Sequence, residues 1–153
     1  MRLHSLTFDE LKAAGVNAHL AQAIVNPNII DPCLDIFIQD INWEYYISDD
    51  VESVVPLWSS NEDTYCRWRR NGETEYVLLF HDDPKFAILA RTEQGLLAEL
   101  YRQYWEFQDS GDDDVNDKKC RVFADAIGFE HREEADTLLL DDYDTFKKWQ
   151  RKL

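Results

Sequence analysis

The residues that could carry out acid–base or metal chemistry are scattered along the chain. His81-Asp82-Asp83 is the one place where a histidine adjoins two carboxylates, and the other three histidines stand apart. A metal-dependent hydrolase needs further histidines at a defined spacing, and none follows this one. We therefore interpret residues 81–84 as a polar loop that closes a strand.

The cysteines and the aspartate-rich segment indicate no metal site. Cys33, Cys66 and Cys120 contain no CxxC pair, so we expect three small side chains that are buried or half-buried. Residues 109–114 lack the alternating ligands and the terminal glutamate of a calcium loop. The sequence predicts neither a metal nor a cofactor.

No catalytic motif is present in the sequence. The Gly-x-Ser-x-Gly elbow, the P-loop, the dinucleotide fingerprint and the His-Glu-x-x-His motif are all missing. Adjacent acids such as Glu133-Glu134 and Asp141-Asp142 are typical of a solvated surface on an acidic chain. We expect no enzymatic activity and no catalytic residue. An enzyme that uses dispersed acids and His81 stays an alternative, because distant residues can converge in a fold.

The net charge narrows the range of partners. The chain has 31 acidic and 16 basic side chains, a net charge of −15. Phosphate backbones and anionic lipids attract cations, so we expect neither direct nucleic-acid binding nor membrane binding. No apolar run reaches the roughly 18 residues of a membrane span, and residues 1–5 do not open a signal-peptide segment. We expect a cytoplasmic protein.

The distribution of charge is more informative than its total. No lysine or arginine lies between Lys12 and Arg67, and the 54 residues between them contain nine acids interleaved with aromatic residues. An interface to a basic protein needs aromatic rings that anchor the partner and carboxylates that steer it. Alternatively, the rings form the core and the acids promote solubility. The predicted partner-binding residues are Asp35, Asp40, Trp43, Glu44, Tyr45, Asp49, Asp50, Glu52, Glu62 and Asp63.

Capping signals at the N-terminus predict two short helices. Thr7 and Glu10 fit a capping box, and Gly15 is placed to end the first helix. Asn17 can cap a second helix over residues 18–25. Residues 33–41 have helical spacing of apolar side chains, and a strand over 43–47 is expected to follow.

The middle of the chain predicts an antiparallel meander. Asn71-Gly72 between two strand-like runs indicates a tight hairpin, and Pro56 indicates that its strand either lies at an edge or ends near this residue. A long helix opens at Thr92 and would cover one face of the sheet. A polar loop near residues 108–117 and a helical extension over 118–153 complete a single α+β domain, a meander packed on one face by helices. The predicted strands are residues 51–58, 64–70, 74–81 and 86–90.

The order of these segments resembles the SUKH superfamily, which includes yeast cell-wall-assembly regulators and bacterial immunity proteins. The resemblance covers residues 51–107. It comprises the proline-led segment Val54-Val55-Pro56-Leu57-Trp58, the Asn71-Gly72 hairpin, the strands Tyr76–Phe80 and Phe86–Ala90, and the helix Thr92–Trp105.

Membership would imply an α+β fold without enzymatic activity. It would also imply a cognate toxin as partner, a basic and possibly nuclease-type domain that the acidic surface neutralises. The alternative is a regulatory or scaffold interaction domain without a toxin partner. The sequence does not give the oligomeric state.

Overall fold

Four strands form the larger of two sheets and follow one another in chain order across it. The computed structural model describes residues 1–153. After one short strand, a run of helices, a run of strands and a second run of helices follow one another. The strands are β1 (Arg2–His4), β2 (Asn42–Glu44), β3 (Val51–Ser60), β4 (Asp63–Arg70), β5 (Glu73–Leu79) and β6 (Phe86–Ala90). The helices are α1 (Phe8–Ala13), α2 (Ala18–Val25), α3 (Pro27–Ile30), a 3₁₀ helix (Pro32–Ile36), α4 (Glu93–Phe107), α5 (Asp113–Ile127), α6 (Arg132–Asp141) and α7 (Tyr143–Lys152).

The α+β class and the antiparallel sheet β3-β4-β5-β6 are confirmed. The chain divides into two compact units, Met1–Leu89 and Ala90–Leu153. The predicted packing of helices on one face of the meander stays a prediction. None of the helices is long and apolar enough to cross a membrane.

Turn chemistry explains the meander in the first unit. Asn71 and Gly72 have φ values of 52° and 77°, the left-handed region that a two-residue hairpin requires, so the predicted turn is confirmed. Pro56 lies in β3, an edge strand, where its missing N–H leaves no gap inside the sheet. The register of β3 on β4 shifts between Pro56 and Trp58.

One core cluster of the first unit lies on one face of the meander, while Trp58, Tyr65 and Tyr76 are buried on the other face. Cys66 and Trp68 of β4 are buried, as their alternation predicts, and they pack with Val77 and Leu79 of β5. Leu3, Ile41 and Tyr45 join the same cluster from outside the larger sheet. The short sheet β1-β2 therefore contributes its inward side chains to this core.

Capping holds the first helices where the sequence places them. The Thr7 and Glu10 side chains and backbone N–H groups form the predicted capping box, and Asn17 caps α2. Gly15 follows α1 with a φ of 91°. The guanidinium of Arg67 in β4 donates to the carbonyl oxygen of Ala14, which ties the end of α1 to the sheet.

Two predictions for residues 33–47 need correction. The helix expected over 33–41 is a 3₁₀ turn that begins at Pro32 and ends at Ile36, because proline starts it and Asp31 caps it. The strand expected over 43–47 is β2 and is only three residues long. Its length is set by β1, which pairs Arg2 with Glu44 and His4 with Asn42.

In the second unit, four helices follow one another. The polar loop predicted over 108–117 ends at Asp112, because the Asp112 carboxylate accepts hydrogen bonds from two backbone N–H groups and starts α5. Phe123 of α5 stacks on Tyr104 of α4 with ring centroids 4.1 Å apart. Gly128 ends α5 with a φ of 78°. The run Leu138–Leu140 lies within α6, which leads into the last helix, α7.

Candidate protein-binding surface

The residues between Lys12 and Arg67 form an acidic tract, and four of its carboxylates form no ion pair. Asp35 lies in the 3₁₀ helix and Asp40 lies two residues before β2. Glu44 is the last residue of β2, and Asp49 lies in the loop before β3. All four side chains are exposed, and no lysine, arginine or histidine nitrogen lies within bonding distance of them. We call these four residues, together with Trp43, the acidic face, although Asp40 follows Gln39, which pairs with Ser59 near the end of β3, and Asp49 precedes the start of that strand. Their charges are available to an external cation, because no internal group offsets them.

Strand alternation explains which side chains of this segment are exposed. Ile41 and Tyr45 point inward and are each 3% exposed, whereas Asp40 and Glu44 point outward. Trp43 lies on the inward side but at the margin of the core, so 38% of it is exposed. The exposed part of the indole ring therefore lies on the opposite side of β2 from the outward-pointing carboxylates of Asp40 and Glu44.

Arg2 is the basic residue nearest to Glu44 in the strand register. Its Nε donates to Oδ1 of Asn42 at 3.1 Å, and its terminal nitrogen donates to the Asn42 carbonyl oxygen at 3.3 Å. It makes no ion pair with Glu44. The guanidinium holds the edge of the β1-β2 sheet and leaves the charge of Glu44 unpaired.

Two predicted site residues are used by the meander itself. Glu52 pairs with Arg69, with Oε2 and Nε 3.2 Å apart, and its Oε1 accepts the N–H of Gly72 at 3.0 Å. Asp50 lies 3.7 Å from a guanidinium nitrogen of Arg70. Both carboxylates brace the β4-β5 hairpin, Glu52 from β3 and Asp50 from the turn before it, so part of their charge is offset within the unit.

Two more predicted site residues surround His81. Its Nδ1 lies 3.1 Å from Oδ1 of Asp63, and its Nε2 lies 3.2 Å from Oε2 of Glu62. The hydrogen bond to Asp63 raises the pKa of His81 above its usual value, because the imidazolium is the form that two carboxylates stabilise. Glu62 occupies a φ of 71° in the β3-β4 turn, a conformation that costs a non-glycine residue energy.

These groups do not form one surface. Asp50 and Glu52 lie at the start of β3, whereas Glu62 and Asp63 follow its end. A ten-residue strand spans about 30 Å, at roughly 3.3 Å a residue, and bulges shorten it only slightly. The ten predicted residues are therefore divided between the two ends of the sheet and the β2 segment.

The prediction that Tyr45 lies in a binding surface is wrong, because this residue is 3% exposed and part of the core. Its hydroxyl donates to the carbonyl oxygen of Glu62 and lies 2.6 Å from Oγ1 of Thr64. Burial raises the pKa of its phenol. Tyr45 therefore pins the β3-β4 turn to the β2 segment and has no surface to offer a partner.

Two exposed apolar side chains of the same segment are absent from the predicted partner-binding residues. Tyr46 is 67% exposed and Ile36 is 50% exposed. The period of two that places Ile41 and Tyr45 inward would have placed Tyr46 outward. For Ile36 no such signal exists, because its exposure follows from the 3₁₀ turn.

No group of three or more histidine, cysteine, aspartate or glutamate side chains is arranged to hold a metal ion. The three cysteines are free; Cys66 and Cys120 are buried and Cys33 is half-buried, as predicted. No family model, no curated protein and no solved structure matches the chain.

Proposed function

We propose that the protein is a non-enzymatic immunity protein. It binds a basic toxin domain, of nuclease type, through the acidic face and so neutralises the toxin. The observation that carries the proposal is the set of four exposed, unpaired carboxylates within residues 35–49. Carboxylates in this state add no ion pair to the fold and repel one another, so a cationic partner gives them a role that the fold does not.

Trp43 gives the face an anchor. A partly exposed indole can bury against a partner and stack on an arginine side chain, while the exposed acids of the same segment pair with other cations of that partner. The first unit contains 15 acidic and 6 basic residues, so its field also attracts a cation over a distance. Steering of this kind raises association rates and weakens with salt.

The resemblance of residues 51–107 to SUKH proteins supplies the partner class. Bacterial members of that superfamily include immunity proteins, and a basic nuclease is the toxin whose charge complements this chain. The proposal is therefore composed of two parts. Charge supports a basic partner, and the resemblance supports a toxin.

The test is a binding titration with the basic toxin domain encoded beside this gene, at low and at high salt. The informative variant reverses three charges of the acidic face, Asp40→Lys, Glu44→Lys and Asp49→Lys. Each exposed pair contributes up to about 1 kcal/mol, so we expect affinity to fall roughly tenfold to a hundredfold. Wild-type affinity should also fall as salt rises.

A matched control reverses three equally exposed acids elsewhere, Asp109→Lys, Asp125→Lys and Glu130→Lys. None of their carboxylates has a partner, and the net charge changes by the same amount. We expect at most a threefold loss of affinity, roughly. Equal losses in the two triple variants, or salt-insensitive binding, would show that the acidic face is not the interface. Unimpaired toxin activity in the presence of the protein would rule out neutralisation.

A further inference from the structure

The turn between β3 and β4 is conformationally costly and is held by side chains from outside it. Its two central residues, Asn61 and Glu62, have φ values of 52° and 71°. A two-residue hairpin turn requires this left-handed conformation, and glycine is the usual residue at the second position. A glutamate there costs conformational energy, so the contacts made by Glu62 matter for the turn. The Tyr45 hydroxyl holds its carbonyl oxygen, and His81 contacts its carboxylate.

His81 follows β5 and has a carboxylate opposite each ring nitrogen. Its Nδ1 lies 3.1 Å from Oδ1 of Asp63, and its Nε2 lies 3.2 Å from Oε2 of Glu62. Asp82, in the same loop as His81, is the third charged group near the ring, with its Oδ1 4.0 Å from Nδ1. Every charged group that faces the imidazole is therefore an acid.

This geometry requires the protonated ring. An imidazolium donates from both nitrogens, whereas a neutral imidazole has one N–H group and one lone pair. When the ring loses a proton, one of its two nitrogens presents a lone pair to a carboxylate oxygen, and the two repel each other. One of the two carboxylate contacts of His81 is therefore lost on deprotonation.

The two carboxylates differ in their freedom to move away. Oδ1 of Asp63 also accepts the backbone N–H of His81 at 3.2 Å, so it stays opposite Nδ1 whether or not the ring is charged. The Glu62 side chain is 48% exposed and its carboxylate has no partner except His81. A neutral ring therefore keeps its proton on Nδ1, and Glu62 is the residue that turns into solvent.

We propose that His81 is a pH-dependent latch on the β3-β4 turn, which holds Glu62 and Asp63 when protonated and releases only Glu62 when neutral. The proton leaves from Nε2 to solvent water, and the hydrogen bond from Nδ1 to Asp63 remains. Glu62 is one of the predicted partner-binding residues, so the latch sets the pH range in which its carboxylate is free for an external cation. The latch lies within the first unit and does not depend on the proposed immunity function.

The test is an NMR titration of the intact protein from about pH 5 to about pH 9, the range in which histidine changes charge. The ring ¹⁵N shifts of His81 identify the tautomer, and we expect the proton of the neutral ring on Nδ1. Nuclear Overhauser contacts from the ring C–H protons to the Glu62 methylene protons should disappear as His81 is deprotonated, whereas those to Asp63 should persist. A neutral ring with its proton on Nε2, or contacts to Glu62 that survive deprotonation, would overturn the proposal.

Two variants separate a direct contact from the general field of the acids. Glu62→Gln should lower the proton affinity of His81 roughly two- to fivefold, the effect of losing one exposed ion pair. Asp82→Asn is the matched control, because it removes the same charge from an acid that lies near the ring without a hydrogen bond to it. Its effect should be less than about twofold. Equal losses in the two variants would show that Glu62 acts only through its field and is not latched.

Discussion

The substitution Tyr45→Phe tests whether this residue belongs to the fold or to an interface. Phenylalanine keeps the buried ring and removes the hydroxyl that bonds to the Glu62 carbonyl and to Thr64. Each lost bond costs about 1 kcal/mol when its partner stays buried, so we expect a loss of about 1–2 kcal/mol in the free energy of unfolding. For a chain of this size, the melting temperature should fall by about 3–6 °C.

Tyr46→Phe is the matched control. Tyr46 is the next residue, is 67% exposed and makes no side-chain hydrogen bond, so the same chemical change should alter stability by less than about 0.5 kcal/mol. Urea and thermal unfolding of both variants at neutral pH measure the difference. If the two variants have the same melting temperature, the Tyr45 hydroxyl does not hold the β3-β4 turn. If Tyr45→Phe weakens a basic partner without loss of stability, the residue contacts that partner after all.

The pH dependence of Tyr45 has a definite sign. Burial raises the pKa of its phenol above 10, so the folded state keeps this proton at pH values where the unfolded state releases it. The resulting stabilisation is complete below pH 10 and is lost as pH rises through the folded pKa. The wild-type protein should therefore lose more stability between neutral and strongly alkaline pH than Tyr45→Phe does, as measured by urea unfolding.

Three further outcomes are expected. Gly72→Val should cost about 1–2 kcal/mol in urea unfolding because of its φ of 77°, whereas Gly111→Val, which also enters open space, should cost less than about 0.5 kcal/mol; equal costs would contradict a conformational origin. NMR titration should give His81 a pKa above 6.5 that falls in Asp63→Asn, and the stabilisation it provides should be complete below pH 6.5 and decline as pH rises through the folded pKa; an unchanged titration would exclude the ion pair. Burial raises the pKa of Cys120 to about 11, so iodoacetamide at pH 8 should label it roughly a hundredfold more slowly than a thiol with a pKa of 9, and rapid labelling would indicate local opening.

Local signals in the sequence predicted the elements that local chemistry determines. The Thr7 capping box and the Asn71-Gly72 turn depend on neighbours within three residues, and both are present as predicted. Strand β1 was not predicted, because three residues form a strand only when β2, some forty residues away, pairs with them. The start of α6 was also missed, since His131 caps it without a side-chain hydrogen bond.

The aspartates at the start of α5 were predicted correctly to be exposed, but the prediction that they belong to a loop is wrong. Asp113 and Asp114 occupy the first turn of the helix, where negative charge is favoured by the helix dipole. The same composition suits a solvated loop and a helix N-terminus, and the buried apolar residues that would distinguish them begin only at Cys120, since Val115 is exposed. A count of acids therefore could not place the helix boundary.

In the acidic tract, the sequence predicts the net charge of the segment more reliably than it predicts which of those charges form a surface. Asp49 and Asp50 are adjacent in sequence, yet Asp49 is unpaired and Asp50 faces Arg70, which reaches it only because β3 pairs with β4. Glu62 and Asp63 are likewise bound to His81, which arrives through β5. Sheet pairing therefore sorts the acids into those that brace the meander and those left for a partner. Only the second group can change its interactions on binding without a cost to the fold, and this is why the acidic face is confined to residues 35–49.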